Sequence, residues 1–289
     1  MTEAEGADRG ATAAMPLAWV EPHRFLLRQP EPGALLFKIV RVRYLIDMLQ
    51  KSYLHFQRVD FFTDDTADGE QLPLDRTTGA GVSFEKAPEF TVERYYDTAR
   101  ARTYACCFSM EHSAYLWENY APDRDAVCLV FDFEKLRQRL NATLQATLDN
   151  HGLLMQGENA FRQIFSINYG IVEYVDRQNH ALHPKRMANP IQFTFLKEKA
   201  RYANEKELRV ILSAPGIGQF VLTNGAAMEF PPALQMGFDF REALSGGAIT
   251  EIRCPPEFVD ARHLGTLRSE LANLRIMTTE AAATSLWRS

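Results

Sequence analysis

The sequence predicts an α+β (mixed α/β) fold: a single domain with a central mixed β-sheet, flanking helices and a C-terminal strand-helix-strand unit. Three features lead there. Two apolar runs of strand length, Tyr104 to Ser109 and Val127 to Phe131, bracket a short aromatic helix with Tyr115, Trp117 and Tyr120 and a polar turn, Pro122-Asp123-Arg124-Asp125. Leu136, Leu140, Leu144 and Leu148 recur at four-residue spacing, the mark of a helix with one face in a core. Strands and helices otherwise follow one another without a regular βαβ repeat.

In chain order, the run from Ala34 begins as a strand and turns into a helix. Its Lys38, Arg41 and Arg43 must either reach solvent along their apolar stems or meet an anion. The next strand alternates, with Tyr53, His55 and Gln57 on one face and Leu54, Phe56 and Arg58 on the other. Asp60 to Glu70 is acidic and turn-rich. Its Asp64, Thr66, Asp68 and Gly69 imitate part of a calcium loop but lack the closing glutamate, so a solvated turn is expected. Gln71 to Ala87 reads as loop, and a helix over Glu89 to Arg102 leads into the first central strand. Asp132 caps the leucine-striped helix and Gly152 stops it.

A helical piece over Glu158 to Phe165 is expected before the strand-like segment Ile167 to Asp176. His180 and His183, with no third ligand at a helpful spacing, fit a loop better than a metal site, and no metal is expected elsewhere. Asn189-Pro190 starts a helix with Phe193, Leu196, Ala200 and Ala203 on its buried face. A strand opening at Glu205 places Glu205, Glu207 and Arg209 on one face and Leu208, Val210 and Leu212 on the other. A short strand near Gln219 to Thr223 and a proline-broken loop from Phe230 to Met236 follow. The chain closes with a right-handed crossover from the strand at 248–254, through a helix with Val259, Leu264, Leu267 and Leu271 inward, to a strand at 274–279.

Composition sets the outer bounds. The 289 residues are 46% hydrophobic with no Pro/Gly/Ser-rich linker, which favours one domain over 16–289 preceded by a disordered tail over 1–15. The tail is small and polar without a secretory h-region, and no uncharged run approaches the ~20 residues of a membrane helix. A formal charge of -5 argues against a nucleic-acid partner. Cys106, Cys107, Cys128 and Cys254 form no C-x-x-C pair and read as buried thiols of a cytoplasmic protein. Glycine-rich phosphate loops, H-E-x-x-H and G-x-S-x-G are missing, so the common nucleotide-loop, metalloprotease and hydrolase chemistries have no motif here.

Several motifs in order resemble a widespread bacterial family of unknown function, whose members carry L-Y-K-Y-R, a strand such as L-Y-F, an N-D-P-F loop, C-F-S, W-x-x-Y-A, a strand ending F-D, and E-x-E-W-R. The matches are Leu36-Phe37-Lys38, Tyr53-Leu54-His55-Phe56, Cys107-Phe108-Ser109, Trp117-Glu118-Asn119-Tyr120-Ala121, Phe131-Asp132 and Glu205-Lys206-Glu207-Leu208-Arg209. The chain departs from the pattern at the N-D-P-F loop, replaced around Asp65, and at Leu208, where the pattern has tryptophan.

The order of a basic strand, a serine with aromatics and an E-x-E strand also looks like the layout of ADP-ribosyltransferases. That resemblance implies NAD as co-substrate, with Arg41, Arg43 and Lys38 on its pyrophosphate or ribose. It implies Ser109 supporting the E-x-E strand, and Tyr115, Trp117 or Tyr120 stacking on a base. Glu207 would stabilise the oxocarbenium-like centre as the glycosidic bond breaks, and Glu205 would orient or deprotonate the acceptor, making a transferase or an NAD glycohydrolase.

Each of these residues also has a plain reading. The glutamates fit a solvated strand edge paired with Arg209, the aromatics fit a core, and Ser109 fits a helix cap. Two other functions follow from those readings. One is a non-enzymatic nucleotide- or partner-binding protein of bacterial defence or stress response. The other is a nucleic-acid-directed effector with a groove around Arg41, Arg43 and Arg58.

Overall fold

The computed structural model describes residues 20–79, 83–84, 87–149, 153–156, 159–162, 165–182, 189–214, 220–222, 227–255, 261–273 and 287–288. The expected tail over 1–15, His183, Gly152, Val259 and the expected strand at 274–279 lie outside them, as does the side chain of Leu148.

β1 (Leu35–Arg41) runs straight into α1 (Val42–Lys51), and Ser52 in the left-handed region (φ 53°) ends that helix before β2 (Tyr53–Arg58). α2 (Pro73–Gly79) and the short hairpin β3 (Ser83–Phe84) and β4 (Ala87–Thr91) replace the expected loop. Thr91 then caps α3 (Val92–Arg100) through the Arg94 N–H. β5 (Thr103–Ser109), α4 (Ala114–Tyr120) and β6 (Ala126–Asp132) fall where the apolar runs predicted them. Asp132 accepts the Lys135 N–H at 3.0 Å and so caps α5 (Phe133–Asp149), whose Leu136, Leu140 and Leu144 are buried.

β7 (Leu153–Gln156), β8 (Asn159–Arg162), β9 (Ser166–Ile171) and β10 (Glu173–Val175) follow. β8 occupies the stretch expected to be helical. It pairs with β7 and with β13 (Phe220–Leu222), so hairpin pairing prevails over local helical preference. The helix expected after Asn189 is broken into a 3-10 turn (Pro190–Phe195), β11 (Leu196–Glu198), α6 (Lys199–Tyr202) and a second 3-10 turn (Ala203–Glu205) before β12 (Glu207–Ser213). Asn189 still caps the first turn through the Ile191 N–H. After β14 (Ala227–Met228), the expected proline loop contains β15 (Ala233–Gly237), which pairs with β2. α7 (Phe240–Ser245), β16 (Ile249–Arg253), α8 (Ala261–Asn273) and β17 (Trp287–Arg288) complete the fold, with β17 parallel to β16.

The main sheet runs β15-β2-β5-β1-β6-β16-β17, and β12 with β9 extends it from β5. β5 is where it forks. One edge of β5 pairs with β12 along its whole length. The opposite edge is divided: β2 takes Tyr104 and Ala105, and β1 takes only Ser109, through Phe37. β1 leaves to pair along all seven of its residues with β6. The main core, with Leu36, Phe56, Tyr104, Leu129, Phe131, Leu140, Val210 and Leu267 among its members, joins the sheet to α1, α5, α7 and α8. No helix among the described residues is long and apolar enough to cross a membrane.

Candidate functional site

A cavity of about 150 Å³ occupies the fork of the sheet. Phe37, Lys38 and Ile39 of β1 and Cys107, Phe108 and Ser109 of β5 line it, with Leu116 and Tyr120 of α4 on one side and Glu205 and Glu207 on another. Its polar chemistry is concentrated in the two glutamates, and the backbone between them explains how they meet. Glu205 ends a 3-10 turn, Lys206 is left-handed (φ 47°), and the strand begins only at Glu207. The expected continuous E-x-E strand is therefore corrected. The left-handed step, unusual for a residue with a side chain, lets both carboxylates converge on one ammonium. Lys197 Nζ lies 2.7 Å from Glu205 and 3.3 Å from Glu207.

Ser109 holds this turn. Its hydroxyl sits 2.7 Å from the Glu205 carbonyl and 2.8 Å from that of Glu111, and it accepts the Glu111 N–H at 3.1 Å. Met110 N–H donates to the Lys206 carbonyl, and the Glu207 N–H donates to the Tyr174 hydroxyl at 2.7 Å. Ser109 is thus a tether for the glutamate turn, not a helix cap, since α4 begins after Ser113.

Behind Glu207 lies a sealed ion cluster. Arg209, expected on an exposed face, is completely buried, and all five of its N–H donors are used. Two donors on one edge of the guanidinium meet Asp68 at 2.5 and 2.6 Å, two on the adjacent edge meet Glu207 at 2.8 and 3.2 Å, and the fifth meets the Thr194 carbonyl at 2.7 Å. Asp68, expected in a solvated turn, is also fully buried. The left-handed Gly69 (φ 72°) shapes its turn, and Arg100, Arg177 and Tyr202 fasten the backbone at Thr66, Ala67 and Asp64. Burial pushes the Asp68 carboxyl up against the pull of Arg209. The two-point contact nevertheless marks it as a carboxylate, because a proton on either oxygen would confront an N–H.

The two glutamates are pushed in opposite directions. Burial raises Glu207, but Arg209 and Lys197 outweigh it and bring the pKa down to about 2. Burial and then the Glu207 charge raise Glu205, against Lys197 and a 2.5 Å hydrogen bond from the Tyr120 hydroxyl. Burial would lower Lys197, yet Glu207 and Glu205 hold it above the usual lysine range, and it also stacks on Tyr202 at 4.3 Å. Cys107, beside Glu207, has its thiol raised by burial and by that charge, so it is no ready nucleophile.

Of the residues singled out from sequence, Glu205, Glu207, Ser109, Tyr120 and Lys38 meet at the cavity, and four others do not line it. Arg41 pairs with Asp123 at 3.0 Å and Asp125 at 3.5 Å, and Arg43 stacks on Tyr44 at 4.7 Å. Tyr115 is half-buried elsewhere on α4. Trp117 donates to His112 at 3.1 Å, and His112 packs against Phe37, so Trp117 touches the wall at second hand. Arg58, the third arginine of the expected groove, pairs with Asp60 at 2.7 Å and stacks on Phe61.

Sequence reasoning missed Asp68 and Lys197. The signal for Lys197 was a lone lysine in the apolar run Phe193 to Leu196 and beyond; for Asp68 it was the following glycine. All four cysteines are free, with Cys106 and Cys128 buried and Cys107 and Cys254 partly so. Among the described residues no group of three or more His, Cys, Asp or Glu is placed to hold a metal. Compared with models of known families, with curated proteins and with solved structures, the chain matches none. The resemblances drawn above therefore rest on their motifs alone.

Proposed function

We propose that this protein breaks the glycosidic bond of a nucleotide, with NAD as the co-substrate, and passes the ADP-ribosyl group to water or another acceptor. The observation that supports this most is the pair of neighbouring carboxyls at one cavity wall, one held well below the ordinary glutamate range and the other raised above it, where an ionised carboxylate is a stronger base. Environments that push two acids apart in this way divide the work of proton transfer and charge stabilisation. In the proposed step the bond from the ribose C1′ to the nicotinamide nitrogen breaks and its electron pair leaves with the ring. The oxocarbenium-like C1′ develops its positive charge near Glu207. The acceptor oxygen then bonds to C1′ as its proton passes to ionised Glu205, oriented by Tyr120.

A volume of about 150 Å³ is that of a single ring site, well below the ~300–1,000 Å³ of pockets that enclose a whole ligand. Only one ring of the nicotinamide-ribose end would enter. A cytoplasmic location, expected from the sequence, belongs to the same proposal.

The test is nicotinamide release from NAD by the full chain. Glu205→Gln should slow it by about 10²-fold or more, the usual weight of a positioned acid or base, while the fold is retained. Release at the wild-type rate by this variant would sink the reading. Glu207→Gln is the poorer probe, because it also breaks a buried ion cluster. A second reading, a nucleotide-binding protein of bacterial defence or stress response without turnover, is favoured by one observation: Arg209 and Lys197 already balance the charge of Glu207. It predicts a rise in melting temperature with NAD and no nicotinamide.

A further inference from the structure

We infer that Tyr120 is a covalent nucleophile, whose phenol oxygen takes the sugar from NAD before water or any other acceptor does. The inference rests on the glycosidic-bond reading and names the first acceptor within it. Three observations carry it.

The first is a relay of three side chains. The Tyr120 hydroxyl donates to one oxygen of Glu205 at 2.5 Å, and the other oxygen of that carboxylate accepts from Lys197 at 2.7 Å. Lys197 is fixed in turn by Glu207 at 3.3 Å and by the face of Tyr202 at 4.3 Å. A hydroxyl on a base, with the base oriented by a third group, is the arrangement that activates a weak nucleophile. The base required is ionised Glu205, the form that the transfer step already uses. Burial and then the Glu205 charge raise the phenol, so its proton moves to Glu205 as the new bond forms and no free phenolate precedes it.

The second is that the other candidate nucleophiles are engaged. Among the described residues lining the cavity, Ser109 has its hydroxyl between two backbone carbonyls and the Glu111 N–H. The Cys107 thiol is raised by burial and by Glu207. Both oxygens of Glu207 meet Arg209, and Lys38 donates to the Cys107 carbonyl. Tyr120 makes one side-chain hydrogen bond, as a donor, and so keeps the lone pairs of its oxygen unused.

The third is spacing. Two carboxyls that reach one ammonium, at 2.7 and 3.3 Å, stand closer than the ~6.5–9.5 Å of pairs that place a water for direct displacement at a sugar. Close spacing belongs with two successive displacements through an enzyme-bound sugar, and a tyrosine replaces the carboxylate as nucleophile in some glycosidases.

In the first displacement Tyr120 Oη bonds to C1′, the nicotinamide nitrogen leaves with the electron pair of the glycosidic bond, and the phenol proton passes to Glu205. In the second the acceptor oxygen bonds to C1′ and the C1′–Oη bond breaks, its electron pair staying with the phenol oxygen. Glu205 returns its proton to that oxygen, takes the acceptor's proton, and releases it to solvent. Each displacement inverts C1′, so the two together retain its configuration.

Stereochemistry therefore tests the nucleophile. The full chain is incubated with NAD in water containing methanol, released nicotinamide is measured, and the methyl glycoside is read by proton NMR. An acid-quenched portion is digested and its peptides weighed. The wild type should give a methyl product with the C1′ configuration of NAD and an ADP-ribosyl group on the peptide holding Tyr120. Tyr120→Phe, which keeps the ring on the cavity wall, should lose both. An inverted or mixed product from the wild type, an adduct mapped to Glu205 or Glu207, or neither product nor adduct overturns the nucleophile. So does retained product formed by Tyr120→Phe at the wild-type rate. Nicotinamide released alongside any of those results leaves the glycosidic-bond reading standing without the nucleophile, whereas a wild type that releases none removes both.

Discussion

Glu205 and Glu207 are two residues apart and share one lysine, yet one belongs to the fold and the other to the cavity. Glu207 is locked from behind by Arg209, which is itself locked by Asp68, and these three side chains are almost without solvent contact. Glu205 has Lys197 on one side and, on the other, the hydroxyl of Tyr120, a residue 44% exposed on α4. The comparison teaches that burial alone does not distinguish a structural acid from a reactive one. What does is whether the partners have any freedom. Glu207 answers to a guanidinium with every donor spent, and Glu205 to a tyrosine at the surface.

The hardest blow to this arrangement is removal of the guanidinium. Arg209→Met leaves two carboxylates buried without their cation, and the expected loss is about 3–5 kcal/mol of unfolding free energy, read by urea denaturation. Glu205→Gln, which leaves the Arg209 cluster intact, should cost less than half as much. Equal losses would erase the distinction between the two glutamates. By contrast Arg41→Ala should fall within ~1 kcal/mol, because its shorter ion pair, to Asp123, is open to solvent.

Much of the fold was legible because its signals are local. The paired apolar runs became β5 and β6, the leucine stripe became α5, and Asp132 became its cap. The misreadings share a cause: the deciding partner is remote in sequence. Asp68 looked solvated because Arg209 lies 141 residues away. β8 is the exception, since its first partner, β7, is its neighbour in sequence and only its second, β13, comes from beyond residue 219. Arg41 looked like a ligand anchor because Asp123 and Asp125 were read only as a turn. The site was half legible for the same reason. Alternation along a strand brought Glu205 and Glu207 together in thought, but their meeting depends on a left-handed Lys206 that no pattern announces.

That residue offers the next, smaller effect. Lys206 is exposed, so its side chain can be changed without disturbing the core. A β-branched residue there fights the left-handed backbone, and Lys206→Val should lose about 1–2 kcal/mol. It should also loosen the convergence on Lys197 and slow nicotinamide release. Lys206→Gly accepts the conformation freely and should keep both stability and release near the wild type. A valine variant as stable and active as the glycine variant would mean that this turn does not set the pair.

The smallest effect is also the most diagnostic, because the two glutamates should respond to pH with opposite sign. In the folded protein Glu207 holds its proton less tightly than an ordinary glutamate at 4.5, with a pKa of about 2. Its stabilising contribution is therefore complete above 4.5 and is lost as pH falls toward 2. Glu205 holds its proton more tightly than 4.5, so its contribution is complete below that value and is lost as pH rises through its folded pKa. The stability of the wild type relative to Glu207→Gln should thus climb with pH from about 2 to 4.5, whereas relative to Glu205→Gln it should decline with pH above 4.5. Urea denaturation of the three proteins across that range measures both slopes. Slopes of the same sign would mean that Lys197 and its surroundings treat the two carboxyls alike, and the division of labour assigned to them would have no physical basis.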